Sequence, residues 1–108
     1  MADVGDNGAD ATVEATDQSG MVVVRITGEL DMSSAPGIRA AMERVLVSEP
    51  TRIVLDLSGL EFVDSSGLAV LLQAAERAPD IALRNPTRIV RRVIEATGLE
   101  ATLPVEEA

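Results

Sequence analysis

From Ile53 to Leu72 the chain reads IVLDLSGLEFVDSSGLAVLL, and this run leaves few architectures open. Arg52 to Leu57 is dense in Ile, Val and Leu with little alternation, the pattern of a central strand covered on both faces. Ser58-Gly59-Leu60-Glu61-Phe62-Val63 reads as a connection. After Asp64-Ser65-Ser66-Gly67, the residues Leu68, Leu71, Leu72 and Ala75 keep helical spacing to about Ala78. This helix also carries Ala69, Val70 and Ala74, so it is either deeply buried or kept partly bare for a partner. A buried strand that hands over to an apolar helix belongs to a layered domain of helices on a sheet.

The flanking sequence fits that picture. Residues 1–10 are Gly, Asn, Asp and Ala with little to bury, and read as a disordered lead to a single domain over residues 11–105. Ala11–Thr16 and Met21–Thr27 alternate around the turn cluster Asp17-Gln18-Ser19-Gly20 and predict a hairpin. Ser33 or Ser34 is placed to cap a first helix with Pro36 in its first turn and Ile38, Ala41, Met42, Val45 and Leu46 inward. Ile81–Leu83 predicts a small strand. Asn85 is the expected cap of a third helix, with Pro86 at its first position, Ile89, Val90, Val93 and Ile94 inward and Gly98 ending it. Thr102–Val105 is a possible last strand. After the hairpin each helix is a crossover between parallel strands, which predicts a single α/β domain with a mixed, mostly parallel sheet of four to five strands packed against helices.

With 108 residues there is room for one domain. The chain has no His, Cys, Lys, Trp or Tyr, and Phe62 is its only aromatic residue. It therefore lacks an imidazole base, a thiolate, an amine for a Schiff base, and nitrogen or sulfur ligands for zinc. The expectation is a binding module without catalytic residues, metal site or cofactor. The net charge of −9 sits mostly at the ends: residues 21–103 hold 11 acids and 9 Arg, a balance of −2. Without a basic surface or stacking aromatics, nucleic acid is not an expected partner. No apolar stretch approaches the roughly 20 residues that span a bilayer, and the first residues lack the marks of a secretory signal, so a cytoplasmic protein without membrane insertion, and a monomer, is expected. Arg84, Arg88, Arg91 and Arg92 form the one basic set, either a solvated helix face or a docking surface for an acidic partner.

At Asp64-Ser65-Ser66-Gly67 an acid, two hydroxyls and a glycine lie where a strand meets a helix. Free backbone N–H groups and the positive end of the helix dipole make such a place tolerant of phosphate. On spacing alone the plainer account is that Asp64 or Ser65 caps the helix and Gly67 permits close packing. A serine hydrolase also favours a nucleophile at a tight strand-to-helix turn, but the flanks are not Gly-x-Ser-x-Gly and no His is present to take the proton.

Over residues 12–105 the sequence resembles the STAS domains, named for sulfate transporters and anti-sigma factor antagonists. The resemblance rests on Leu55-Asp56-Leu57-Ser58-Gly59-Leu60 with Phe62-Val63-Asp64-Ser65-Ser66-Gly67-Leu68, on Gly28-Glu29-Leu30-Asp31, and on Asn85-Pro86 with Thr97-Gly98-Leu99. What it implies is a stand-alone bacterial anti-sigma factor antagonist. In such proteins the partner is an anti-sigma factor that is itself a serine kinase, the unmodified antagonist binds that kinase and frees the sigma factor, and phosphorylation switches the antagonist off. By resemblance the acceptor is Ser66, and Asp31, Asp64, Ser65, Ser66, Gly67 and Val70 form the partner surface. Asp31 has the alternative of a solvated loop acid near a helix start. The alternative function within the family is an accessory subunit that docks to a membrane lipid-transporting ATPase without phosphorylation.

Overall fold

In a computed structural model, residues 2–6, 11–18, 20–78 and 80–106 are described, the first group by backbone alone. The chain forms β1 (Ala2–Asp6), β2 (Ala11–Gln18), β3 (Met21–Leu30), α1 (Ala35–Leu46), β4 (Arg52–Asp56), β5 (Leu60–Val63), α2 (Ser65–Arg77), β6 (Ile81–Arg84) and α3 (Arg88–Ala96). The main path of the sheet runs β1-β2-β3-β4-β6, and β5 pairs with the far end of β3. Pairing is antiparallel from β1 to β3 and parallel among β3, β4, β5 and β6. The expected mixed, mostly parallel sheet with helices packed on it is the architecture found.

Register explains why it coheres. Ala15, Val24, Leu55 and Leu83 align across four strands, and Val22, Ile53 and Ile81 form a second row on the same face. These side chains are buried, and side chains of α1 and α2 join them in one apolar cluster. Each fully buried Leu or Ile there contributes about 1.5–3 kcal/mol relative to exposure. One residue further along, the strands present the opposite face, where Glu14, Arg25, Asp56 and Arg84 align with alternating sign. Opposite charges on neighbouring strands stabilise that face, whereas like charges would oppose pairing. Val54, next to Asp56, is buried as well, so β4 is covered on both sides as its unbroken apolar run predicts.

The apolar excess of α2 goes into packing. Gly67, Leu68, Val70, Leu71 and Ala74 are buried, and Leu72 and Ala75 pack partly against the core. Across the α1–α2 seam Arg39 donates to Gln73 at 2.9 Å, and Arg77 pairs with Glu43.

Five details differ from the sequence reading. Residues 2–6, expected to be disordered, are drawn into an edge strand, because a backbone ladder to β2 needs no apolar side chain; residues 7–10 lie outside the described set. Leu60–Val63 is a strand rather than a connection, too short to alternate and with a register shift that leaves Glu61 without a partner. Thr87, and not Asn85, caps α3: its hydroxyl oxygen accepts from Val90 N–H at 3.5 Å and donates to the Leu60 carbonyl at 2.8 Å. Asn85 instead turns the chain with φ of +49°, a conformation Asn tolerates better than most residues. Ile89 is 53% exposed, whereas Val90 and Ile94 face the core. Toward the end of the chain, Thr102–Val105 adds only one bridge, Val105 to Leu83, and not a full strand.

We propose that residues 11–105 suffice for the fold, since β1 has a single neighbour at the rim of the sheet and the described core runs from Ala11 to Leu103. Deleting residues 1–10 should lower the unfolding free energy by no more than about 1 kcal/mol in urea titration, the range of changes that touch no core group. A larger loss would make β1 part of the folding unit.

Candidate functional site

The site is built where β5 ends and α2 begins, beside the loop from β3 to α1. Two contacts fix the junction. Gly67 packs against the end of β3 so closely that a Cβ built on it would lie 2.2 Å from the Leu30 carbonyl oxygen, 2.7 Å from Leu30 Cγ and 2.9 Å from Val63 Cγ2. Only glycine fits. The second contact is the Asp64 carboxylate, whose Oδ1 accepts from Gly67 N–H at 3.0 Å as the helix cap and whose Oδ2 accepts from Met32 N–H at 3.1 Å. One side chain thus ties the start of α2 to the neighbouring loop. The Asp64 amide also donates to the Leu30 carbonyl at 3.2 Å.

That loop is organised by Asp31 and Ser34. Asp31 Oδ1 accepts from the Ser33 hydroxyl at 2.8 Å, from Ser33 N–H at 3.0 Å and from Ser34 N–H at 3.1 Å. The Ser33 hydroxyl, followed by the Ser34 amide, holds the Asp31 carboxyl below its ordinary value, so it stays ionised at neutral pH. Ser34 is fully buried and does not cap α1 in the expected way. Its hydroxyl reaches back, donating to the Glu29 carbonyl at 2.7 Å and accepting from Asp31 N–H at 3.0 Å. Ser33, the other expected cap, is taken up by Asp31.

Ser65 is exposed and Ser66 half-buried on the first turn of α2. Among the described residues neither hydroxyl makes a hydrogen bond, and the amides of Ser65 and Ser66 have no acceptor. Both hydroxyls therefore sit beside unsatisfied N–H groups at the positive end of the helix, an environment that favours added negative charge.

Of the six residues expected on a partner surface, Asp31, Asp64, Ser65 and Ser66 come together here with at least part of their surface open. Gly67 and Val70 do not reach it. Gly67 is buried against β3, and Val70, only 1% exposed, packs in the core because the face of α2 it occupies meets α1 and the sheet. Two residues the sequence reading passed over stand beside the site. Met32, 75% exposed, follows Asp31, and Phe62, 43% exposed, is aligned with Glu29 two residues ahead of Asp64. An apolar residue inside a polar capping loop was the available signal for Met32. The basic set divides. Arg84 pairs with Glu106, which raises the pKa of Arg84, whereas Arg88, Arg91 and Arg92 are exposed on α3 with no ion pair among the described residues.

Among the described residues no group of three or more His, Cys, Asp or Glu is placed to hold a metal, and no helix is long and apolar enough to cross a membrane.

Comparison with known proteins bears on this junction. The profile of the STAS domain matches residues 12–108. The anti-sigma-F factor antagonist RsfB of Mycobacterium tuberculosis is 33% identical over 94 residues, covering 84% of this chain and 77% of the relative. The crystal structure of an anti-sigma factor antagonist from Mycobacterium paratuberculosis superposes with a TM-score of 0.83 at 33% identity, over 91% of this chain and 86% of that one. The Bacillus cell fate determinant SpoIIAA in its phosphorylated form superposes with a TM-score of 0.66 at 26% identity, over 88% of this chain and 91% of that one.

Gly67→Ala should cost about 2–4 kcal/mol of stability, since the added methyl meets a backbone carbonyl that cannot move without shifting β3. Thermal and urea unfolding measure it; a loss within about 0.5 kcal/mol, the size of an ordinary surface change, would contradict the close approach.

Proposed function

The chain belongs to the STAS domain family, and from that premise we propose that it is an anti-sigma factor antagonist, a binding module whose partner is an anti-sigma factor with serine kinase activity. Ser66 is the phosphate acceptor in this reading. The observation that carries it is the Ser66 hydroxyl itself, unbonded on the first turn of α2 beside amides without acceptors. Support also comes from the relatives, which are named as antagonists of anti-sigma factors, and from SpoIIAA, which exists in a phosphorylated form.

The chemistry follows from the junction. Unmodified, the α2 start and the Asp31–Ser34 loop form one docking surface with Met32 prominent on it. Binding there sequesters the anti-sigma factor and frees the sigma factor. Phosphate adds roughly 1.5–2 negative charges at neutral pH, at a helix N-terminus that accommodates them without disturbing the core. The fold is retained and the surface is not, because Asp31 and Asp64 already make it acidic and the phosphate occupies volume that a close contact needs. The protein performs no chemistry of its own: the kinase transfers the phosphoryl group, and the Ser66 oxygen receives it. It acts in the cytoplasm, as a monomer, on its partner and not on nucleic acid.

Incubation with the cognate kinase and ATP should add one phosphate to the wild type and to Ser65→Ala, and none to Ser66→Ala, as read by intact mass. In titration calorimetry Ser66→Ala should bind the unphosphorylating kinase as the wild type does, whereas Ser66→Asp should bind about tenfold or more weakly, a difference of about 1.4 kcal/mol. Equal binding by all three would reduce Asp64-Ser65-Ser66-Gly67 to a helix cap and favour docking to a transport complex without phosphorylation.

A further inference from the structure

β6 is bonded to β4 on one side, and its other side is occupied by a short segment of the same chain. Leu83 N–H donates to the Pro104 carbonyl and the Leu83 carbonyl accepts from Glu106 N–H, both at 2.8 Å, which makes Val105 the parallel bridge partner of Leu83. Those two bonds are the backbone attachment among the described residues, a single bridge where a paired strand would supply a ladder. Leu103 anchors the near end, fully buried with its amide bonded to the Leu99 carbonyl at 2.9 Å. At the far end Glu106 is held between two guanidinium groups: it pairs with Arg84 Nε, and its Oε2 lies 3.9 Å from Arg52 Nη2. Arg52 also pairs with Asp80 Oδ1 at 2.5 Å, so removing the Glu106 carboxylate takes from Arg84 its ion-pair partner on the strap while Arg52 keeps Asp80.

An uncovered sheet edge offers unpaired N–H and C=O groups to any other strand. Here the geometry also says which strand fits. Ile53 N–H and Leu57 N–H bond the carbonyls of Asp80 and Arg84, so these carbonyls face β4, and by alternation the polar groups of Ile81 and Leu83 face outward. Antiparallel pairing of two β6 edges about a twofold axis would set Ile81 of one copy opposite Leu83 of the other. Ala82 then lies on the axis, and Asp80 of each copy lies opposite Arg84 of its mate, an acid against a base at both ends.

We propose that residues 104–106 are a releasable strap, clasped by Glu106, and that the β6 edge beneath it is a pairing surface for a second copy of this chain. The strap keeps the intact chain a monomer. Its release joins two sheets into one across the twofold. This inference stands apart from the Ser66 reading, since β6 pairs with β4 and the α2 junction with β3.

The test uses the full chain carrying Glu106→Arg, which places a third cation at the clasp, and a chain ending after Leu103, which keeps the buried anchor. In sedimentation equilibrium the wild type should remain monomeric, whereas both variants should form a dimer that grows no further, with amide exchange at Leu83 in dilute samples at least tenfold faster than in the wild type. Adding Asp80→Arg to either variant should weaken the dimer at least tenfold, and the further change Arg84→Asp should restore it by reversing both charges. Variants that keep the native circular dichroism and stay monomeric would overturn the proposal. So would assemblies larger than dimers, or a dimer indifferent to Asp80→Arg. Should the shortened chain lose its fold, Glu106→Arg decides the matter, because it retains every core residue.

Discussion

The carbonyl oxygen of Leu30 lies where a side chain on residue 67 would have to begin, 2.2 Å from the position of a Cβ. Much of the molecule follows from that approach. With glycine there, α2 starts directly on the end of β3, and the next turns bring Leu68, Leu71 and Ala74 onto the core. A larger residue would lift the helix off the sheet, part Asp64 from Met32 N–H and separate the two loops that make the site. Asp64 adds the polar half of the same joint, satisfying one N–H of the helix and one of the neighbouring loop with its two oxygens. A cap of this kind is worth about 1 kcal/mol to the helix; here it also sets the relative position of two surface elements.

The chain holds no His, Cys or Lys, so its charged contacts are made by carboxylates and Arg, and these are unevenly distributed. On the face of the sheet opposite the Val24–Leu55 row, charges alternate by register from Glu14 to Arg84 and offset one another. The α1–α2 seam closes with Arg39–Gln73 and Arg77–Glu43. At the α2 junction the pattern changes: Asp31 and Asp64 have only N–H and hydroxyl partners, with no cation among the described residues. Negative charge, exposed Met32 and an unbonded Ser66 hydroxyl are thus gathered at one junction. In the proposed function, a phosphate added there changes the docking surface at little cost to the core.

Most of the architecture was legible because it depends on strong periodic signals. The run Ile53–Leu57 read as a covered strand and the spacing from Leu68 to Ala75 as a helix, and the structure decided that the apolar excess of this helix is buried and not left bare for a partner. β5 was missed since Leu60–Val63 is too short to alternate and borrows its partner from the tail of β3. The cap of α3 was misplaced by two residues because Asn85 and Thr87 are both good caps, and the Leu60 carbonyl, which no local pattern reveals, selects Thr87. At the site, the sequence marked Asp64, Ser65 and Ser66 through their residue types. It could not separate them from Val70, whose burial depends on which way α2 is turned against α1 and the sheet, nor reveal that Asp64 reaches Met32 across 32 residues.

Asp64→Asn tests the joint most directly. Gly67 N–H and Met32 N–H are bonded to different oxygens of Asp64, and the substitution turns one of those oxygens into an NH2 donor, so one of the two amides loses its acceptor. Amide hydrogen exchange followed by NMR should show one of these two amides losing protection at least tenfold while Val24 and Leu55 in the core exchange as in the wild type. Unchanged protection at both Met32 and Gly67 would contradict the account, because the two halves of the surface would then be held together by something other than Asp64.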